Sequence, residues 1–165
     1  MAFEDFNFIP LKVDTEIKPF KCKDEDLNGF LLEDARKYLV DLMAVTYLLE
    51  DLSANKTVAY FSLLKDPEQN SIWNKLSRRI PNSKRRKHYP AVKIGRLAVS
   101  LEYALQGLGK EIIRFVKYLF THGNRTGCRF ITVDAYKDAI AFYQKSGFDF
   151  ITDKDKNDET RLMFY

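Results

Sequence analysis

Residues 92–136 constrain the chain more tightly than any other stretch. VKIGRLAVS (92–100) reads as a largely buried strand, and LEYALQ (101–106) as a loop. In GLGKEIIRFVKYLF (107–120), Ile112, Ile113, Val116, Leu119 and Phe120 recur near the 3.6 period, while Lys110, Arg114 and Lys117 fall on the opposite side. RFITVDA (129–135) then reads as a second strand. Strand, amphipathic helix and strand in succession bury their apolar faces by layering helices on a sheet, so the fold class is α/β or α+β.

The flanks extend the same alternation. FNFIPLKV (6–13) reads as a first strand, and DEDLNGFLLEDARKYLVDL (24–42) places Leu27, Phe30, Leu31, Ala35, Tyr38 and Leu39 at helical spacing. Asp24 is the expected cap of that helical material, with a break expected near Gly29. AVTYLLEDL and TVAYFSLLKD flank the turn SANK, the composition of a β-hairpin. KDAIAFYQKSG (137–147) predicts a second helix closed by Gly147, and FDFIT and RLMFY predict a last strand pair around the polar DKDKNDE. With 165 residues and no internal repeat, one domain over 1–165 with a mixed sheet is expected.

The net charge of +4 is concentrated in one place. KLSRRIPNSKRRKH (75–88) carries seven of the 27 Lys and Arg residues and no acid, which leaves 20 basic against 23 acidic residues elsewhere, a balance of −3. Arg78, Arg79, Lys84, Arg85, Arg86 and Lys87 are therefore the candidate nucleic-acid contacts, because each neutralised phosphate releases condensed counterions. A solvated basic loop without a ligand is the bland alternative. Trp73 and Tyr89 flank the segment and either stack on bases or simply pack. IWNKL, Pro81 and Pro90 suggest a short helix and an exposed loop there.

Cys22 and Cys128 lie far apart without CxxC or Cys/His spacing, and His88 and His122 are the only histidines, so no metal site and no redox pair is expected. MAFEDFNFIP has neither a basic start nor an apolar run, and nothing in the sequence matches a membrane span, so a cytoplasmic protein is expected.

Gly107 and Gly109 stand where a helix ordinarily takes Ser, Thr, Asp or Asn as its cap. Free N–H groups at a helix start bind anions, and glycine lets a phosphate oxygen approach the backbone closely. Neither GxxxxGK[ST] nor GxGxxG is present, so this is not a P-loop or a dinucleotide fingerprint, and Gly107 on its own serves equally well as a turn.

In order and spacing, RLAV, QGLGK, VDA and AFYQKSGF resemble the GNAT superfamily of acetyl-CoA-dependent N-acetyltransferases, over residues 90–150. FKCKDEDLNGFL (20–31), TYLLED, VAYFSLL, the basic segment ending in proline and IGRLAV further resemble the acetyltransferase toxins of bacterial toxin–antitoxin pairs. The resemblance implies a central, mixed but mostly antiparallel sheet of six to seven strands, flanked by about four helices and splayed at the acetyl-CoA site. It implies pantetheine contacts at Leu97, Ala98 and Val99, and a diphosphate on the backbone N–H groups of Gln106, Gly107, Leu108, Gly109 and Lys110. Tyr143 matches the tyrosine near the acetyl-CoA sulfur, whose phenol protonates the departing thiolate, while Phe142 and Phe148 are left to the core.

Two positions depart from the family pattern. Ala104 stands where Gln or Arg is usual, which removes a side-chain phosphate contact, and Tyr136 stands where many relatives carry Asn.

The acyl transfer needs a neutral amine, a polarised carbonyl and a protonated leaving group, and a backbone N–H near Val99 is the expected polarising group. No base is singled out among Glu102, Asp134 and His88. An α-amine, with a reference pKa of about 7.7–8.0, needs less help than a lysine at about 10.4. The favoured acceptor is the α-amine of aminoacyl-tRNA, in a translation-blocking toxin that partners a small DNA-binding antitoxin; a homodimer is common in such relatives, and no residue here establishes one. A protein lysine, a protein N-terminus or a small-molecule amine is the enzymatic alternative. A binder of acetyl-CoA or nucleic acid without turnover is the non-enzymatic one.

Overall fold

The computed structural model describes residues 3–66, 89–123 and 126–165. Trp73, Arg78, Arg79, Lys84, Arg85, Arg86, Lys87 and His88, with the short helix expected around them, lie outside the described residues.

Seven strands form the sheet: β1 (Asn7–Pro10), β2 (Val45–Asp51), β3 (Lys56–Lys65), β4 (Ala91–Val99), β5 (Phe130–Tyr136), β6 (Asp149–Phe150) and β7 (Thr160–Phe164). Their order is β1-β2-β3-β4-β5-β7-β6. The described helices are α1 (Glu25–Gly29), a π-turn (Phe30–Asp34), α2 (Ala35–Val40), α3 (Leu108–Thr121) and α4 (Ile140–Lys145), with short 3-10 turns at Phe3–Asp5 and Leu101–Tyr103. No described helix is long and apolar enough to cross a membrane. The backbone divides into two compact units, 1–64 with 94–116 and 65–93 with 117–165.

In the first unit β1, β2 and β3 pair antiparallel. Residues alternate between the two faces of a strand, and the hairpin sorts its side chains accordingly. Leu48 and Tyr60 join Leu11, Cys22, Phe30, Leu31, Ala35 and Ala98 in one buried cluster, and the Tyr60 hydroxyl donates to the Leu27 carbonyl at 2.7 Å. Tyr47 and Phe61 stack at 5.2 Å and meet Phe8 and Phe115 in an aromatic group of their own. A register shift between Leu49 and Glu50 marks a bulge, and the buried Glu50 carboxylate is held there by Lys18 at 2.7 Å and Asn7 at 3.2 Å.

Asp24 caps α1 as expected, its carboxylate accepting from the Asp26 and Leu27 N–H groups. The break near Gly29 takes another form. Gly29 keeps helical angles, and the chain widens into the π-turn that follows it, with Phe30 and Leu31 buried. The expected strand over 6–13 is shorter, ending at Pro10, whose ring nitrogen has no hydrogen to donate. Both cysteines are free: Cys22 is buried and donates to the Asp24 carbonyl, and burial pushes its thiol up.

In the second unit β5 pairs antiparallel with β7, and β7 with β6. Tyr89, Phe130, Ile151, Leu162 and Phe164 form its core, with the Tyr89 and Phe130 rings edge to face at 5.9 Å. Tyr89 therefore packs, which decides between its two expected roles. Asp66 is fully buried, accepts from the Thr132 hydroxyl at 2.5 Å and lies 3.8 Å from Lys93, which also pairs with Asp134 at 2.9 Å.

Candidate active site

The strand-to-helix connection that carries the glycines belongs to the first unit. β4 ends at Leu97, Ala98 and Val99; Ala98 points into the buried cluster around Tyr60, and the next residue, Ser100, donates its N–H to the Val58 carbonyl at 2.8 Å. The chain then makes a 3-10 turn held from two sides. The Tyr103 hydroxyl donates to Asp51 at 2.9 Å, and Lys56 grips both Glu102 oxygens at 2.7 and 2.6 Å. Asp51 also accepts from Ser53 and Ala54, and these hydrogen bonds lower its pKa to about 2. Since Asp51 and Lys56 bound the β2–β3 turn, that hairpin tip anchors the entrance to the glycine segment.

Beyond Ala104 the backbone turns into unusual territory. Leu105 has φ +62° and its side chain is fully exposed, the Gln106 amide donates to the Glu102 carbonyl at 3.2 Å, and Gly107 has φ +84°. At +84° an L side chain is strained, and a Cβ on Gly107 would meet no atom within 4 Å. A side chain at Gly107 would therefore begin in open space. α3 starts at the next residue, with buried Leu108 as its anchor. The Gly107 carbonyl accepts from the N–H groups of Lys110 at 3.0 Å and Glu111 at 3.2 Å. The first N–H groups of a helix have no carbonyl one turn back to meet, which leaves those of Leu108 and Gly109 for an anion. Lys110 spends its N–H on Gly107, so what it offers an anion is its exposed ammonium.

Tyr143 belongs to the second unit, on α4. The Ala139 N–H donates to the Tyr136 carbonyl at 2.9 Å, starting the turn from which the helix grows. The helix stops at a glycine, as expected: Gly147 has φ +90° and donates to the Gln144 carbonyl, while the Ser146 and Phe148 N–H groups both donate to the Tyr143 carbonyl at 3.0 Å. The Tyr143 ring is buried edge to face against Phe142 at 5.0 Å and Phe148 at 5.4 Å, and Phe148 is itself buried. Among the described residues nothing hydrogen-bonds the Tyr143 hydroxyl. Burial pushes its pKa well above the ordinary phenol value, so the proton stays on oxygen at neutral pH.

Leu97–Val99 and 106–110 thus stand on one continuous segment of the first unit, and Tyr143 belongs to the second. Two candidate bases are already paired, Glu102 with Lys56 and Asp134 with Lys93. Tyr136 is partly exposed at the end of β5. Sequence reasoning missed three side chains that shape these segments: Tyr103 and Asp51, and Lys117, which stood on the polar side of α3 but is half-buried with its ammonium 3.3 Å from the centre of the Tyr165 ring. The signal available for Lys117 was its place on the penultimate turn of a helix beside an apolar stripe.

No curated protein matches the chain. Among solved structures it is similar to AtaT complexed with acetyl-methionyl-tRNAfMet, at 22% identity and a TM-score of 0.76, over 96% of this chain and 94% of that one. A tyrosine-to-phenylalanine variant of KacT is similar at 22% identity and a TM-score of 0.73, over 96% and 94%. A tyrosine-to-phenylalanine variant of the AtaT toxin bound to the C-terminus of the antitoxin AtaR is similar at 20% identity and a TM-score of 0.74, over 98% and 91%. At these identities the likeness establishes a shared fold. The family model for the acetyltransferase (GNAT) domain matches residues 46–149, which takes in the hairpin, the glycine turn, α3 and the Tyr143 helix, and the chain belongs to that family of acetyltransferases.

Proposed function

We propose that the protein, acting as one domain over 1–165, moves the acetyl group of acetyl-CoA to the α-amine of aminoacyl-tRNA and so blocks translation. The observation that carries the acceptor is the likeness to AtaT complexed with acetyl-methionyl-tRNAfMet, a protein of the same fold over nearly the whole of both chains. The seven cations of 75–88 support it, because they give the chain a local electrostatic footprint for a polyanion.

The open turn at Gly107 fits a diphosphate: two N–H groups at a helix start, a positive-φ glycine with room for a phosphate oxygen, and the Lys110 ammonium beside them. Acetyl-CoA, when bound, supplies the activated thioester. Leu97, Ala98 and Val99 offer strand backbone to the pantetheine arm. Tyr143 is the general acid: its phenol keeps its proton until negative charge develops on the sulfur, and then donates it. Glu102 and Asp134 are neutralised by lysines, which suits an acceptor whose amine is partly neutral near pH 7.5 and whose proton leaves through water. A small DNA-binding antitoxin that covers the cations of 75–88 is the matching partner, by analogy with AtaT bound to AtaR. A translation target places the protein in the cytoplasm.

The test follows labelled acetyl groups from acetyl-CoA into charged tRNA, the same tRNA stripped of amino acids, and a protein extract. Label in charged tRNA alone is expected. Label in protein, or in none of the three, would overturn the acceptor and leave an acetyltransferase of a peptide or small-molecule amine.

A further inference from the structure

Lys117 by its period belongs on the solvent face of α3, yet its ammonium is turned inward. Nζ donates to the Ser146 carbonyl at 2.5 Å, lies 3.3 Å from the centroid of the Tyr165 ring and 5.7 Å from that of Phe148. Desolvation lowers its pKa, so the position carries an electrostatic cost that an apolar side chain would avoid. The carbonyl it grips is the first beyond α4. The Ser146 N–H donates to the carbonyls of Phe142 and Tyr143, the Phe148 N–H donates to Tyr143, and a Cβ on Gly147 would come within 3.1 Å of Tyr165 and 3.6 Å of Nζ. One cation thus ties together the last turn of the Tyr143 helix, its glycine cap and two aromatic rings, one of which rests on Tyr143.

We propose that Lys117 is a positioning residue for Tyr143. By fixing the Ser146 carbonyl and holding Phe148 against the tyrosine, it sets where the phenol oxygen stands for proton donation. This rests on the reading of Tyr143 as the general acid. Proton transfer needs donor and acceptor within hydrogen-bond reach, so a displacement of a fraction of an ångström at the end of a six-residue helix is felt in the chemical step rather than in binding.

The test compares Lys117→Met, Lys117→Arg, Tyr165→Leu, Tyr143→Phe and the double variant Lys117→Met/Tyr143→Phe, with acetyl-CoA and charged bacterial tRNA as substrates. Lys117→Met is expected to lower kcat on the order of tenfold, with KM for acetyl-CoA within about twofold of the parent. Lys117→Arg restores most of the rate, since guanidinium can donate to the same carbonyl and sit over the same ring. Tyr165→Leu keeps the lysine but removes its aromatic seat and is expected to lose part of the rate, which carries the test should Lys117→Met fail to fold. Independently of turnover, hydrogen exchange at the Ser146, Gly147 and Phe148 amides speeds up in Lys117→Met and Tyr165→Leu. In the Tyr143→Phe background, adding Lys117→Met changes kcat no further. An unchanged kcat in both Lys117→Met and Tyr165→Leu, or a further fall in the double variant, overturns the positioning role while leaving Tyr143 as general acid. An unchanged kcat in Tyr143→Phe itself overturns the general-acid reading and the positioning role with it.

Discussion

Replacing Gly107 with alanine separates what the turn does for the fold from what it does for the ligand. At φ +84° the added Cβ touches no protein atom within 4 Å, so the whole structural cost is conformational. Holding an L-residue in the left-handed region costs about 1–2 kcal/mol. The lower entropy of the unfolded alanine chain returns about 0.4–1 kcal/mol, leaving a net loss of roughly 0–1.6 kcal/mol. For a chain of this size that lowers Tm by up to about 6 °C. The same methyl group occupies the space proposed for a diphosphate oxygen. Losing one charge-assisted hydrogen bond there costs about 1.5–3 kcal/mol, a roughly ten- to hundredfold rise in Kd. Calorimetric titration with coenzyme A, beside thermal unfolding of the free protein, reads both. Leu105→Gly is the control: Leu105 also has positive φ but is fully exposed, so relief of strain and the flexibility of glycine nearly cancel in Tm. A fall in Tm without weaker coenzyme A binding in Gly107→Ala would confirm the strained turn and remove the diphosphate from it. Equal loss of affinity in both variants would show that the loop senses any change, and would refute the specific role of the open glycine.

Tyr143→Phe is expected to lower kcat about 10²- to 10³-fold with coenzyme A affinity retained, read by stopped turnover assays and titration. The pH profile should rise as the acceptor amine loses its proton, up to about pH 8, without a fall below about pH 10, because burial raises the phenol pKa and keeps the acid form present; an alkaline limb near pH 8 would contradict this. Lys93→Met removes the cation beside fully buried Asp66 and should cost about 3–5 kcal/mol, measured by denaturant unfolding. Charge reversal at Arg85 and Arg86 should weaken acetylation of charged tRNA and flatten its salt dependence, with coenzyme A binding unchanged.

What the sequence showed follows from how local each feature is. The Asp24 cap, the hairpin about SANK, the stripe of α3 and the Gly147 stop each involve residues within a turn or a strand of one another, and all four stand in the structure. The segment 97–110 was legible for the same reason: a strand end, a glycine turn and a helix start are contiguous. The Tyr103–Asp51 and Lys56–Glu102 contacts join residues 52 and 46 positions apart, and no periodicity announces such pairs. Lys117 failed for a different cause. A helical wheel assigns a face from the Cα position, but a four-carbon stem can carry its charge around to an aromatic seat supplied by residues 148 and 165. Low helix propensity at Gly29 predicts a break there, whereas burial of Phe30 and Leu31 against the hairpin carries the helix on through a π-turn.

The cradle proposed at the start of α3 rests on the main-chain N–H groups of Leu108 and Gly109, with only Lys110 adding a side chain, and this sets how it can change under selection. A side chain that binds a ligand is lost by one substitution, but a peptide N–H is erased only by proline. The amides stay in place so long as Gly107 keeps its turn and Leu108 its anchor. A small inhibitor that occupied those amides would leave the chain few routes to resistance, because the mutations that spoil its grip also spoil the protein's own.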